Sequence, residues 1–391
     1  MRVLYLSSRF PWPPHRGDRL TGYQMLRALS RRHEVTLASF VEEPGAVDGM
    51  AEIGALCRRI ECVPLSRAAS WRQAFLGLPL GVPSQVSYYR SAAMRETVAR
   101  LVRDVRPDAI FVQLFRMAPF VESLDHPCKV LFLADSLALS LQRSLPYQPP
   151  VRALGLRWER RRVAAYEPAI SRAFRESWVL SDVDARDLES RGAQRIAVVP
   201  HGVDERLFDR ELKAPAGERA VFLGNLSVPH NVDAAQYLVR EVWPLVRRER
   251  PGATLEIVGA DPVPAVLALA SADGVQVTGA VPSLLPVWDR AAVTVAPLRY
   301  SAGIQNKLLE PMAAGVPVVT TPQAAEALGA VDGRELRTGA DPAALARATL
   351  DALAEGEGAL PMLRAARELV RSRFSWETLV GRLERLAATS A

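Results

Sequence analysis

Short apolar runs alternate with longer amphipathic stretches along this chain. The run RVLYLSS at residues 2–8 is typical of a buried strand, and apolar positions three or four apart from about Leu20 to Arg31 predict a helix. The alternation continues through the strand-like runs HEVTLASF, RIECVPL, AIFVQL, KVLFLAD, SWVLSD, RIAVVP, RAVFLGNL, TLEIVGA, VQVTGAV, AVTVAPL and VPVVTT. Strands separated by helices form βαβ units, so the pattern predicts an α/β fold with largely parallel sheets.

The strand–helix alternation restarts after residues 185–200, which predicts a domain boundary there. The chain has 391 residues, more than the roughly 250–300 at which single cores stop growing. We predict a first α/β domain at residues 1–195 and a second at 196–374. The amphipathic segment FSWETLVGRLERLAA, within residues 375–391, is either a plain terminal helix or a helix that returns to pack on the first domain.

Composition narrows the class of protein. The chain has three cysteines without metal-ligand spacing, which suits a reducing cytosol, and its start lacks the features of a signal peptide. No run of about 18 apolar residues occurs, so no membrane-spanning helix is expected. The net charge of +6 fits an anionic partner such as a nucleotide or a phospholipid surface. Nucleic acid is the least supported partner, because no zinc-finger spacing, RNA-binding aromatic motif or long basic tail is present.

The stretch SAGIQNKLLEPMAAGVPVV contains one lysine, Lys307, and one glutamate, Glu310, among small and apolar residues. The preceding run VTVAPL predicts a buried parallel strand, and KLLEPMAAG predicts the helix after it. Ligands of open α/β sheets bind at the carboxyl ends of strands, and a helix N-terminus with a nearby glycine, here Gly303, can bind phosphate. Lys307 adds a point charge, and Glu310 can accept hydrogen bonds from two ribose hydroxyls. The alternative is a surface ion pair between these two residues, worth roughly 0.2–0.5 kcal/mol.

The same stretch resembles the signature of retaining glycosyltransferases of the GT-B fold, family 4, in which a glycine-containing loop precedes a helix with the pattern L-E-A-M-A-x-G-x-P-V-V. Other segments resemble family motifs in order and spacing: RFPWPPHRGDR, VVPHGVD, VFLGNLSVPHNVDAA, LEIVGADP, VQVTGAVP and FSWE. The resemblance covers nearly the whole chain and is strongest to a branch found with bacterial exopolysaccharide and sortase-like export clusters.

This resemblance implies two Rossmann-like domains whose parallel sheets face an inter-domain cleft, with the acceptor on the first domain and a nucleotide-sugar donor on the second. It implies that Glu310 binds the donor ribose, that Thr278 and Val281 lie near the base, and that no metal or other cofactor is obligatory. The residues implied to hold the diphosphate are Gly303, Ile304, Gln305, Asn306 and Lys307. The acceptor-side loop corresponds to Arg16, Gly17 and Asp18.

The sequence departs from the family pattern at several positions. Ala302 stands where a glutamate that contacts the donor sugar is common. Asn225, followed by His230 and Asn231, stands where an arginine and a lysine commonly clamp the diphosphate, so Lys307 and Arg299 would supply that charge. Pro311 replaces an alanine, which predicts a helix that begins late or bends.

In the first domain, Ala134 stands where a histidine is common, and Asp135 follows it. We predict that Asp135 orients the acceptor or assists proton transfer; the alternative is an N-cap for the helix SLALSLQ. For Arg16 and Asp18 the alternative is a solvated turn. The motif DVD at residues 182–184 resembles a metal-binding D-x-D, but it precedes a helix, and capping explains it.

The sequence therefore predicts a metal-independent retaining glycosyltransferase that moves a sugar from a nucleotide-diphosphate donor to a glycan, lipid-linked or small-molecule acceptor. The alternatives are a non-catalytic sugar-nucleotide-binding scaffold and a GT-B nucleotide-sugar epimerase. We expect a cytoplasmic protein. The segments SWRQAFLGLPLG and RALGLRWERRR predict contact with the inner face of the plasma membrane, although the second is also typical of an ordinary helix with one wet face.

Overall fold

The computed structural model describes residues 1–14, 17–42, 49–300 and 303–389, and the chain divides into two compact units. The first unit comprises Met1–His201 and Trp376–Ala391, and the second comprises Gly202–Ser375. The predicted boundary at residues 195 and 196 lies six residues before the observed division, because the strand after residue 195 adds to the first sheet. The terminal helix is grouped with the first unit.

The first unit contains a parallel sheet with the order β3-β2-β1-β4-β5-β6-β7 in the described residues. Its strands are β1 (Arg2–Ser7), β2 (Glu34–Val41), β3 (Arg59–Pro64), β4 (Ala109–Gln113), β5 (Lys129–Ala134), β6 (Glu176–Val179) and β7 (Ile196–Val198). Its helices are α1 (Gly17–Ser30), α2 (Met50–Gly54), α3 (Arg67–Leu76), α4 (Ser84–Tyr88), α5 (Ala92–Val105), α6 (Leu137–Ser144), α7 (Pro150–Ser171) and α8 (Asp182–Ser190), with the terminal helix at Trp376–Ala388. Strand β1 is the apolar centre of the sheet, since Val3, Leu4, Tyr5 and Leu6 are fully buried.

The second unit contains a parallel sheet with the order β10-β9-β8-β11-β12-β13 in the described residues. Its strands are β8 (Arg219–Leu223), β9 (Thr254–Val258), β10 (Val275–Gly279), β11 (Val293–Ala296), β12 (Val318–Thr320) and β13 (Arg337–Thr338). Its helices are α9 (Pro229–Tyr237), α10 (Trp243–Glu249), α11 (Pro264–Leu267), α12 (Leu285–Arg290), α13 (Asn306–Ala314), α14 (Pro322–Leu328), α15 (Pro342–Ala354) and α16 (Leu360–Arg373), which makes the terminal helix α17. A π-helical turn, Leu238–Val242, joins α9 to α10.

Both sheets reverse their strand order at one point, and this point defines where a ligand can bind. The reversal lies between β1 and β4 in the first unit and between β8 and β11 in the second. Loops that leave the carboxyl ends of such neighbouring strands turn in opposite directions and open a crevice. The fold therefore provides one candidate ligand crevice in each unit.

The described helices include none that is both long and apolar enough to cross a bilayer.

Candidate functional site

The crevice of the second unit lies beside two predicted donor-binding segments. Gly224 and Asn225 directly follow β8, and the segment from Gly303 to Lys307 follows β11. Gly303 has a φ of 69°, a left-handed conformation that favours glycine. Because β8 and β11 are hydrogen-bonded neighbours, segments distant in the sequence meet at one end of the sheet.

Helix α13 begins at this crevice without a side-chain cap. Its N-cap residue is Gln305, whose side chain makes no capping hydrogen bond and so leaves the first-turn N–H groups for another acceptor. The prediction of a late start is wrong, because the helix begins at Asn306, one residue before the predicted Lys307. The helix also continues unbroken through Pro311 to Ala314, and Gly315, with a φ of 79°, ends it.

Lys307 projects from the first turn of α13 and is buried, with 7% of its surface exposed. Its Nζ donates to Oδ1 of Asn231 and to Oε1 of Gln305, the latter at 3.1 Å. Asn231 in turn donates through Nδ2 to the carbonyl oxygen of Asn225 at 2.9 Å. Burial lowers the pKa of Lys307 to about 7. An ammonium has three donors, and the two used here meet neutral oxygens, so the site is suited to an additional anionic acceptor.

Glu310 lies one turn further along α13 and is half-buried. Within the described ranges, no hydrogen bond or ion pair joins its carboxylate to another side chain, Lys307 included. Burial, followed by the negative charge of Asp204, raises the pKa of Glu310 to about 7. The alternative of a surface ion pair with Lys307 is therefore wrong, because the lysine is buried and bonded to two side-chain amides, and the glutamate pairs with no cation in the part of the chain that the structure describes.

Arg299 does not supply the free positive charge that the sequence predicts. Its guanidinium binds the carboxylate of Asp233 at 2.5 and 3.0 Å and lies 4.5 Å from the ring centre of Tyr237. This ion pair neutralises the arginine, so Lys307 is the cation of the predicted set that has no carboxylate partner among the described residues.

The other predicted donor-binding residues have mixed environments. Thr278, on β10, donates to the carbonyl oxygen of Ile257 at 3.4 Å, and Val281 is half-buried in the following loop. Ile304 is buried, and the Oδ1 atom of Asn306 is buried without a hydrogen-bond partner. The predicted departure at Ala302 lies outside the described residues.

Sequence reasoning missed the close packing that holds Asn231 in place. A Cβ on Gly224 would lie 2.9 Å from the Asn231 side chain, and a Cβ on Gly259 would lie 1.7 Å from the Gly224 carbonyl oxygen. Asn225 is fixed by Asp261, whose Oδ2 accepts its amide at 3.0 Å. The two glycines in the runs FLGN and IVGA were the available indication of this close approach.

His230 stands at a predicted clamp position and is neutral at physiological pH. Burial, followed by the charge of Lys307, lowers the pKa of His230 to about 3. The positions where an arginine and a lysine are common thus supply hydrogen-bonding groups, and Lys307 supplies the charge.

The crevice of the first unit contains a compact ionic cluster. Asp18 binds Arg9 at 2.7 Å and Arg116 at 3.1 Å, and these two cations hold the pKa of its carboxyl below the usual range despite burial. Arg116 also donates to Ser8 and Gln85. Two guanidiniums share one carboxylate, which leaves a positive excess beside β1 and β4.

The predicted acceptor-side loop is helical in part. Gly17 and Asp18 form the first turn of α1, about three residues before the predicted helix start, because Asp18 stabilises the positive end of the helix dipole. The alternative of a solvated turn is wrong for Asp18, which is held by two arginines. Arg16 lies outside the described residues.

Asp135 follows β5 and lies near two other carboxylates. Burial, followed by the charges of Asp184 and Glu167, raises the pKa of Asp135 well above its usual range. The N-cap of α6 is Ser136, whose hydroxyl accepts from the N–H of Leu139, so the capping alternative for Asp135 is wrong. A protonated Asp135 can donate a proton, which is one of the two predicted roles.

The motif DVD forms part of a helix start, as expected. Ser181 caps α8, and Asp184 accepts from the backbone N–H of Ser136 at 2.9 Å. In the part of the chain that the structure describes, no group of three or more histidine, cysteine, aspartate or glutamate side chains is placed to hold a metal ion.

Comparison with known proteins agrees with this geometry. Residues 217–355 match the family model of glycosyl transferases group 1, a segment inside the second unit that includes Lys307 and Glu310. No curated protein matches the chain.

Three solved structures illustrate the likeness in fold. Alr3699/HepE of Anabaena in complex with UDP and glucose has 13% identity and a TM-score of 0.68, with 100% of both chains covered. Sucrose-phosphate synthase of Thermosynechococcus elongatus has 17% identity and a TM-score of 0.73, again over 100% of both chains. A UDP-forming α,α-trehalose-phosphate synthase of Burkholderia xenovorans in complex with glucose-6-phosphate has 13% identity and a TM-score of 0.66, over 99% of this chain and 100% of that one.

These findings confirm the predicted α/β fold with two parallel-sheet, Rossmann-like domains of the GT-B class. The group 1 domain in the second unit also confirms the prediction of a glycosyltransferase enzyme.

Proposed function

We propose that this chain is a metal-independent, retaining glycosyltransferase that uses a nucleotide-diphosphate sugar as donor. The proposal rests on one observation: Lys307 and Glu310 project from adjoining turns of the uncapped α13, and neither has an oppositely charged partner among the described residues. A diphosphate and a ribose present the complementary groups in that order. The match to a glycosyltransferase domain over the same residues supports this assignment.

In this proposal the donor is bound by charged side chains and by backbone N–H groups of the second unit. The first-turn N–H groups of α13 and the ammonium of Lys307 bind the diphosphate, and they stabilise the negative charge that it gains as the leaving group. The carboxylate of Glu310 accepts hydrogen bonds from the ribose hydroxyls. Thr278 and Val281 lie near the base, while Arg299, held by Asp233, shapes the site without adding net charge.

The acceptor binds the first unit in the proposed reaction. Asp135 orients an acceptor hydroxyl or exchanges its proton, and Asp18, fixed by Arg9 and Arg116, lies beside the crevice of that unit. The acceptor is a glycan, a lipid-linked glycan or a small molecule. The positive excess of the Arg9–Asp18–Arg116 cluster favours an acceptor with an anionic group.

The first test is a thermal-shift screen of UDP-, GDP-, ADP- and TDP-sugars, followed by assays of donor hydrolysis and of transfer to an acceptor panel. UDP-sugars are tested first because the structure of Alr3699/HepE contains UDP. Proton NMR of the product should show the donor's anomeric configuration retained.

Three results would contradict the proposal. Binding without hydrolysis or transfer over a broad panel would indicate a non-catalytic binding protein. Conversion of the donor into a different nucleotide sugar without an acceptor would indicate an epimerase, and an inverted product would exclude retention.

A further inference from the structure

Two helices of the first unit expose large apolar side chains to solvent. On α3, Trp71 and Phe75 are 67% and 71% exposed, and Leu76 projects beside them. Trp71 and Phe75 are four residues apart and therefore lie on one face of the helix, where they form a stripe; Leu76, next to Phe75 in the sequence, extends the exposed apolar area. Folded proteins rarely leave aromatic side chains this exposed in a group unless a partner covers them.

Helix α7 exposes a second stripe. Val151, Leu154 and Trp158, at spacings of three and four, lie on one face, and Val151 is 88% exposed. The first three turns of the helix contain arginines at positions 152 and 157, and the first acidic residue is Glu159. This end of α7 is therefore apolar on one face and cationic at its sides.

Helix α4 connects the two stripes. The ring of Trp71 contacts that of Tyr88 at 5.4 Å in an edge-on arrangement. At the other end of α4, the backbone N–H and the hydroxyl of Ser84 donate to Glu159 at 2.7 and 2.6 Å. We call the six side chains on α3 and α7 the aromatic surface: Trp71, Phe75, Leu76, Val151, Leu154 and Trp158.

Positive charge accompanies the aromatic surface without neutralisation. Arg72, Arg152, Arg157 and Arg161 are exposed and form no ion pair with any residue in the described ranges. Helix α3 contains no acidic residue. On α7, the carboxylate of Glu159 accepts a hydrogen bond from the Ser84 hydroxyl and pairs with Arg162, so it does not neutralise these four arginines. The surface therefore complements a partner that is both apolar and anionic.

We propose that the aromatic surface docks on a phospholipid bilayer with anionic headgroups. Aromatic and aliphatic side chains at the boundary between headgroups and acyl chains, with arginines reaching the phosphates, are the pattern of an interfacial helix. The apolar groups on the two helices match the acyl chains of a bilayer, and the cationic groups beside them match its anionic headgroups. This inference goes beyond the transfer reaction and does not depend on it.

The test is co-sedimentation of the full chain with vesicles of pure phosphatidylcholine or with 30% phosphatidylglycerol, over a range of lipid concentrations. The native chain should bind the anionic vesicles at a lipid concentration at least about tenfold lower than the neutral ones. The double variant Trp71→Gln/Phe75→Gln should lose at least about tenfold in binding to anionic vesicles. Both positions are exposed, so unfolding temperature should remain that of the native chain.

A matched control is available in the second unit, where Leu267 and Val331 are also exposed. The variant Leu267→Gln/Val331→Gln should bind vesicles as the native chain does. The variant Arg72→Gln/Arg157→Gln should lose the preference for anionic over neutral vesicles.

Three outcomes would overturn the inference. They are equal binding of the native chain to both vesicle types, undiminished binding by the Trp71→Gln/Phe75→Gln variant, and a dimer in solution that this variant dissociates, which would assign the surface to a second copy. Donor binding measured without lipid reports separately on the proposed function, so failure of one proposal does not affect the other.

Discussion

The pH dependence of donor binding is the most specific prediction of the site. The pKa of Lys307 and that of Glu310 both lie at about 7, the first lowered and the second raised by burial. A diphosphate requires the charged lysine, and ribose hydroxyls require the charged carboxylate. Donor binding therefore takes up a proton at Lys307 and releases one at Glu310, and affinity should pass through a maximum near neutral pH.

The magnitude follows from the two pKa values. At pH 7 each group is about half in its required form, so about a quarter of the free protein is competent, and apparent affinity scales with that fraction. At pH 9 about 1% of Lys307 is charged, and at pH 5 about 1% of Glu310 is ionised, so affinity at either pH should be about 25-fold weaker. Attraction between the two charges would widen the pH range of maximal affinity, but affinity would still fall on both sides of it, along an acid limb below and an alkaline limb above.

Titration calorimetry with a nucleotide sugar between pH 5 and pH 9 measures this profile, because the diphosphate of such a donor does not titrate in that range. Lys307→Arg should remove the alkaline limb, since arginine stays charged, and Glu310→Gln should remove the acid limb. The matched control is Lys213→Arg, an exposed lysine paired with Glu211. A flat profile, or an alkaline limb that survives in Lys307→Arg, would refute the reasoning.

The remaining predictions concern single substitutions. Lys307→Ala and Glu310→Ala should each weaken donor binding by about 1–3 kcal/mol, measured by calorimetry at pH 7; unchanged affinity in both would remove the nucleotide assignment. Asp135→Asn should lower the rate of transfer while donor affinity stays native; a native rate would exclude the assigned role. Gly224→Ala should displace Asn231, whose side chain lies 2.9 Å from the added Cβ, and so weaken donor binding more than Gly54→Ala, a control at a glycine with open space that, like Gly224, is not in the left-handed region. Because the pKa of Glu310 is raised in the folded state, its contribution to stability is present below about pH 4.5 and is lost as pH rises through 7. Glu310→Gln cannot ionise, so it should avoid up to about 3 kcal/mol of that loss. Its urea midpoint should therefore be higher than that of the native chain at pH 8, with no gain at pH 4.

The sequence predicted the fold well because local pattern determines its elements. The runs predicted as strands correspond to β1–β12, and the boundary between the units is six residues from the prediction. The two-residue strand β13 was missed, since a run of that length has no periodicity. The start of α1 was placed late because the apolar pattern begins at Leu20, whereas Asp18 stabilises the preceding turn.

The sequence predicted the site residues only where they lie close together along the chain. The loop and helix from Gly303 to Glu310 can be identified from the sequence because glycine, lysine and glutamate follow one another. The partners of these residues come from distant segments: Asn231 lies 76 residues from Lys307, and Asp233 lies 66 from Arg299. No local pattern reports such pairings, so the neutralisation of Arg299 and the amide contacts of Lys307 required the folded structure.

The measurement that tests the central claim most directly is a crystal structure of the chain with a nucleotide-sugar donor. The account predicts a diphosphate oxygen within hydrogen-bond distance of Lys307 Nζ, at the N-terminus of α13, and the ribose hydroxyls on the carboxylate of Glu310. A donor bound elsewhere, or density for the donor with these two side chains turned to solvent, would contradict it.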